Sequence, residues 1–321
     1  MKMGWFTFGV GVVLMLTGCV SRPPIIVAGE EQLQQWQAPL NREAPGLGNI
    51  WSYPREQWIE PKALVHAISQ TDYLMLGEKH DNPDHHRIQW YLLDQLGQQK
   101  RLGMLTLEML KQGQQPLVDS AAQLEHPDLS ELKQHLRWDQ VRGWDWHFYG
   151  PLMLLALEQG APLRAGNLDA GRIKEIYAQQ DSGAPLLASQ QQARVQGQLE
   201  KQIIASHCGQ AEGDHLQAMV RVQQHRDQSM AEAIMAPDAV SVLVAGAYHV
   251  RRDLGVPLYL QRLQPDAKLI SLAMVELSDA SDGGVGDAVE RLRGIYDYLW
   301  FTPKMPRPDY CADWAKHSRG G

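Results

Sequence analysis

Apolar residues fall along this chain in two rhythms. Short, almost purely apolar runs alternate with longer segments in which apolar positions recur every three or four residues. Tyr73–Gly77, Leu102–Leu107, Pro162–Ala165, Val240–Ala245 and Lys268–Val275 are the short runs, and they predict five strands. Pro83–Gln99 carries Ile88, Tyr91, Leu92 and Leu96 on one side and predicts a helix. Pro116–Leu124 and Leu129–Leu136 read as shorter helices, and Tyr149–Gln159 as a helix that Gly160 stops. Strands alternating with helices imply an α/β fold, a mostly parallel sheet flanked by helices. Two long helices, about Leu186–Ser206 and Leu216–Ala236, break that rhythm. Cys208-Gly-Gln-Ala-Glu-Gly-Asp214, dense in turn residues, joins them. With their neighbours, from about 171 to 236, they are expected to form a small helical subdomain.

The N-terminus follows a different pattern. Lys2 precedes an apolar run from Gly4 to Leu16, too short to span a bilayer as a helix, and then comes Leu16-Thr-Gly-Cys19. This is a secretory signal over residues 1–18, ending in what resembles a bacterial lipobox, with Cys19 as the lipidated first residue. Val20 after the Cys resembles the outer-membrane default of Gram-negative lipoproteins. Several acyl chains on one Cys would anchor the protein stably, so the expected location is the outer membrane, on its periplasmic face. Residues 19–50 then read as a tether and irregular lead-in, and 51–321 as the folded domain. The net charge of −7 and an ordinary apolar fraction of 44% give no footprint for nucleic acid. Cys208 and Cys311 are the two other cysteines, and an oxidising envelope permits but does not require a bond between them. No CxxC or CxxCH occurs, which removes support for thioredoxin chemistry and covalent c-type haem.

Candidate chemistry gathers at strand ends. Tyr73-Leu-Met-Leu-Gly-Glu-Lys-His80 and Ser241-Val-Leu-Val-Ala-Gly-Ala-Tyr-His249 each run from strand through Gly to His. Carboxyl ends of parallel strands share one edge, where open α/β folds build their sites. Glu78, His80, Glu108 and His249 are therefore expected to line one cleft, with Asn167 nearby. Such a set could bind a divalent metal and activate water, or act as a metal-free general acid and base. His86 is expected to face the cleft and His85 to be a solvated neighbour. Arg251 suits a carboxylate or propionate, and Lys79 lies beside the first strand end. Trp138, Trp144, Trp146, Phe148 and Tyr149 crowd together, as a core wedge or as a wall for a flat ligand. Tyr296 and Tyr298 belong to a C-terminal aromatic stretch expected to dock on the body.

Four segments together resemble the ChaN-type iron-regulated lipoproteins: Gly77-Glu-Lys-His-Asp-Asn-Pro-Asp-His-His86, Trp144-Asp-Trp-His-Phe-Tyr-Gly-Pro151, Arg226-Asp-Gln-Ser-Met-Ala231 and Gly246-Ala-Tyr-His-Val-Arg-Arg-Asp-Leu-Gly-Val-Pro257. The likeness covers roughly residues 50–303. It implies haem binding in Gram-negative iron acquisition, alongside a haem-uptake system. It also implies a homodimer formed on haem binding, enclosing two cofacial haems. Each iron would be held by a tyrosine of one subunit, with His and Lys of the other near the propionates. The wider superfamily includes Tiki-type metalloproteases and erythromycin esterases. The chain departs from the pattern at Tyr248, where a small residue is expected before the second His. A tyrosinate is a hard anionic ligand suited to ferric haem, so Tyr149, Tyr248, Tyr296 and Tyr298 are the candidate iron ligands, with Lys79, His86 and Arg251 beside them. Two functions follow: a haem-binding lipoprotein, or an envelope hydrolase that works through Glu78, His80, Glu108 and His249.

Overall fold

The computed structural model describes residues 25–27, 29–179, 187, 189–235, 238–277, 283–307 and 311. The proposed signal peptide and Cys19 lie outside the described residues. In chain order the elements are α1 (Glu30–Leu33), β1 (Ile50–Ser52), β2 (Gln57–Ile59), α2 (Pro61–Ile68), β3 (Tyr73–Glu78), α3 (Pro83–Gln98), β4 (Leu102–Lys111), α4 (Gln115–Ala121), α5 (Leu129–His135), α6 (Trp146–Glu158) and β5 (Leu163–Asn167). They continue with α7 (Ala170–Ala178), α8 (Ser189–Ser206), α9 (Gly213–Ala233), β6 (Val240–Gly246), α10 (Val256–Leu263), β7 (Leu269–Glu276), α11 (Gly284–Arg291) and β8 (Tyr298–Thr302).

The strands form one sheet in the order β2-β1-β8-β7-β3-β6-β4-β5. β3 pairs in parallel with β6 and β7, β4 with β5 and β6, and β7 with β8. β1 pairs antiparallel with both β8 and β2, so β1 alone runs against the other strands, next to the β2 edge. β3 and β6 are buried along their whole length, as central strands covered on both faces must be. Leu74 and Leu76 of β3 point into a core shared with α2, α3 and α6, while Tyr73 and Met75 point into the opposite core under α8, α9, α10 and α11. That alternation is the period-two geometry of a strand. Each fully buried aliphatic side chain in these layers contributes about 1.5–3 kcal/mol of transfer free energy.

All five expected strands are present. The edge pair β1 and β2 and helices α2, α10 and α11 were not expected as such, while the C-terminal aromatic stretch, expected to dock as a last helix or strand, is the strand β8. β4 also runs three residues past Glu108, with a register irregularity after Leu107, so Glu108 lies inside the strand rather than beyond its end. The long helices α8 and α9 pack against each other, and α9 also packs on α7, α10 and β5. Cys208 and Cys311 are joined, tying the loop between α8 and α9 to the C-terminal segment across 103 residues.

Candidate functional site

Parallel pairing places Glu78, at the end of β3, beside Gly246, at the end of β6. Two carboxylate–imidazole arrangements meet there. In the first, Glu78 is a hub. Its Oε1 accepts from Tyr149 Oη at 2.6 Å and from His80 Nδ1 at 2.8 Å, and its Oε2 accepts from Gln89 Nε2 at 2.6 Å. Burial opposes ionisation of Glu78, but His86, His80 and the Tyr149 hydroxyl outweigh it and hold the carboxyl at about 2. Burial likewise opposes the charged form of His80, yet the Glu78 carboxylate beside it raises its pKa. In the second arrangement, His249 Nδ1 donates to Asp227 Oδ1 at 2.5 Å, and its Nε2 lies 3.5 Å from Glu108 Oε1. Against the penalty of burial, Glu108 and Asp227 raise His249 to about 9. Burial pushes Asp227 up to about 6, against the pull of His249. Gly246 joins the two sets: its N–H donates to Glu108 Oε2 at 2.8 Å, and a β-carbon on it would stand 3.1 Å from the His80 ring. Glycine here lets His80 approach the strand end.

Above these pairs opens a cavity of about 530 Å³. Leu199 of α8, Leu254, Met274, Val275 and Leu292 give it apolar walls, and Lys79, Arg291 and Arg307 are its cations. Lys79 Nζ lies 2.8 Å from Asp81 and 3.5 Å from Glu276, while Arg307 lies 3.4 Å from the other Glu276 oxygen. Tyr248 lines the same cavity and is 53% exposed.

The sequence expectations divide here. Glu78, His80, Glu108 and His249 converge, and Lys79 and Tyr248 border the cavity. Tyr149 is fully buried with its hydroxyl on Glu78, which leaves no open phenolic oxygen for a ligand. Tyr296 borders the cavity but donates its hydroxyl to the Ala247 carbonyl at 3.0 Å. Tyr298 is buried in the opposite core layer. His86 does not face the cleft: it is buried behind Glu78, stacked on Phe148 at 4.4 Å, with its ring nitrogens on Gln89 Oε1 and the His80 carbonyl. His85 is not solvated either. It is buried, accepts the Lys79 N–H at 2.8 Å and meets Thr302 at 2.9 Å, and burial lowers its pKa to about 3. Arg251 clamps Asp253 rather than the cavity. Asn167 donates to the Glu108 carbonyl at 3.0 Å and so supports β4. The aromatic segment is mainly a core wedge: Trp138 is buried, although Trp144 reaches the His80 ring at 4.7 Å. Sequence reasoning missed Asp227 as the partner of His249, though it stands inside the quoted Arg226–Ala231 segment. It also missed Gln89, one turn beyond His86 on α3. Among the described residues, no group of three or more His, Cys, Asp or Glu side chains is arranged to hold a metal ion.

Fold and cleft define an α/β protein with a ligand-sized cavity at the carboxyl edge of its parallel strands. The chain belongs to the haem-binding uptake, ChaN family of the Tiki superfamily, whose family model matches residues 64–260. Among solved structures it is similar to the ChaN of Campylobacter jejuni, described for its cofacial haem binding, at 25% identity and a TM-score of 0.64. That likeness covers 78% of this chain and 95% of that one. An erythromycin esterase, EreC, in its open conformation matches at 12% identity and a TM-score of 0.43, over 78% of this chain and 95% of that one. The type III effector HopBA1 matches at 11% and 0.37, over 75% and 92%. These two are too distant to bear on function. No curated protein sequence matches the chain.

Proposed function

We propose that this protein binds ferric haem in the cleft, with the phenolic oxygen of Tyr248 as the iron ligand. The observation that carries this reading is the contrast among the four candidate tyrosines: Tyr248 is the one that is exposed at the cavity, at 53%. The residues suit the group. Apolar walls match a porphyrin face, Lys79, Arg291 and Arg307 match propionates, and a phenolate is a hard donor for ferric iron. A ring this open to solvent also suits a homodimer formed on haem, in which a second copy covers the other porphyrin face. The lipobox supports anchoring through Cys19 to the outer membrane, on the periplasmic side, where the protein would serve a haem-uptake system. Hemin titrated into a form lacking residues 1–19 should give a defined Soret shift, a high-spin phenolate spectrum and a haem-dependent dimer. Loss of none of these in Tyr248→Phe would remove the assignment. Cys19→Ser should release the protein from membranes or leave its precursor unprocessed, and unchanged fractionation would remove the anchor.

The paired Glu78–His80 and Asp227–His249 contacts favour one second reading, a hydrolase using His80 as a metal-free base. Turnover of an ester or amide substrate that disappears in His80→Ala, without any hemin binding by the wild type, would put that reading first.

A further inference from the structure

An exposed ligand needs something to fix it. A half-exposed tyrosine samples several rotamers, and an iron–oxygen bond requires its oxygen at one place and angle. Tyr248 stands in a tight turn between β6 and α10. The Gly255 N–H donates to the Arg251 carbonyl at 2.9 Å, and the Val256 N–H to the His249 carbonyl at 2.7 Å. A β-carbon on Gly255 would lie 2.2 Å from the His249 carbonyl oxygen, so the turn closes only because that residue is glycine. Arg252 fastens the same turn to the body through Asp297 at 2.7 Å. The turn therefore presents two successive side chains to the cavity differently: His249 is held on Asp227, and Tyr248 stands half-exposed.

The Tyr248 ring is met by the Arg251 guanidinium, whose carbon lies 5.7 Å from the ring centroid, within cation–π range. Arg251 is in turn held by a two-pronged contact: Nε donates to Asp253 Oδ1 at 2.9 Å, and Nη2 donates to Asp253 Oδ2 at 2.7 Å. Both side chains are mostly covered, at 19% and 17% exposure, so the fork is not an ordinary surface pair.

Resting on the haem reading above, we infer that Arg251 and Asp253 are a positioning pair for the iron ligand: Asp253 fixes Arg251, and Arg251 fixes the Tyr248 ring and places a cation beside the ligating phenolate. The role differs from a propionate clamp, since the guanidinium faces a protein carboxylate and a protein ring rather than the cavity. It also predicts that the two residues act as a unit.

The test loads hemin onto the wild type and onto Arg251→Ala, Arg251→Lys, Asp253→Asn and the double variant Arg251→Ala/Asp253→Asn. Circular dichroism and unfolding midpoints check that each is folded. Affinity is read by titration, and ligand geometry by the rhombicity of the ferric electron paramagnetic resonance signal. Arg251→Ala should weaken hemin binding by about tenfold and broaden the signal, because the ligand then samples several orientations. Asp253→Asn should do the same to a lesser degree, the double variant should be no worse than Arg251→Ala, and Arg251→Lys should restore part of the affinity. Wild-type affinity and an unbroadened signal in folded Arg251→Ala would overturn the inference while leaving the haem reading intact. Additive losses in the double variant would overturn the pairing with Asp253. A wild type without a Tyr248-dependent haem spectrum would take down both the haem reading and this inference.

Discussion

Tyr149 reaches the cleft only through Glu78, Tyr248 borders it directly, and their environments are opposite. Tyr149 is sealed at the floor, with no exposed surface and its hydroxyl 2.6 Å from Glu78. Burial and the Glu78 charge both raise its pKa, so its proton stays on. Tyr248 stands at the mouth, half-exposed, with a guanidinium against its ring. The same side chain is a structural donor in one place and a candidate iron ligand in the other. What separates them is the partner each meets, not its residue type. At the floor the hydroxyl is tied to a buried carboxylate, and at the mouth the ring stands open to solvent against a guanidinium.

The largest effects should come from breaking the floor. Glu78→Ala removes the acceptor for Tyr149, His80 and Gln89 and leaves His86 without its carboxylate. It should lower stability by about 3–5 kcal/mol in chemical denaturation, as loss of one partner of a buried charged network does. A loss below about 1 kcal/mol would show that the network is not integral to the fold.

Next comes pH. His249 is raised to about 9, so the stability it contributes is complete below its unfolded value near 6.5 and is lost as pH rises through 9. Over that window Asp227, raised to about 6, is already ionised and adds little slope of its own. Unfolding free energy should therefore fall by up to about 3 kcal/mol between pH 6.5 and 9, and His249→Asn should flatten the decline. Glu78, held at about 2, behaves in the opposite sense: its contribution is present above its unfolded value near 4.3 and is lost only as pH falls through 2. An alkaline decline equally steep in His249→Asn would assign the effect elsewhere.

Smaller still is Tyr149→Phe, which deletes one hydrogen bond to a buried carboxylate. A loss of about 1–3 kcal/mol is expected, with hemin affinity unchanged. The smallest effect on stability belongs to Tyr248→Phe, within about 0.5 kcal/mol of wild type, since the hydroxyl lies at an exposed position. Thermal melts of the two variants side by side would invert the comparison if the Tyr248 variant proved the less stable.

The central strands were legible because burial on both faces leaves unbroken apolar runs, as in β3 and β6, and because each run stops at a glycine before its histidine. That spacing was enough to bring Glu78, His80 and His249 to one edge, where Glu108 joins them from within β4. The short pair β1 and β2 left little pattern: three residues each give no periodicity to read, and β2 is largely exposed. The histidines of α3 were misplaced for a different reason. Asn82 caps this helix by accepting from the Asp84 N–H at 2.9 Å, and Asp84 is itself tied to the backbone of Gln37 and Ala38. These anchors turn the first helical turn inward and bury both His85 and His86. The anchor to residues 37 and 38 comes from a distant part of the chain, so local spacing carried no sign of it. The burial of Tyr149 was hidden in the same way, since its partner Glu78 lies 71 residues earlier.

On the proposed haem reading, iron is taken by the tyrosine at the mouth and not by the one at the floor. Hemin titrated in parallel into the wild type, Tyr248→Phe and Tyr149→Phe, followed by visible absorption and ferric electron paramagnetic resonance, tests it most directly. A phenolate-ligated high-spin spectrum is expected in the wild type and in Tyr149→Phe, with its loss and weakened binding in Tyr248→Phe alone. A phenolate spectrum that survives in Tyr248→Phe, or one that disappears in Tyr149→Phe, would contradict it.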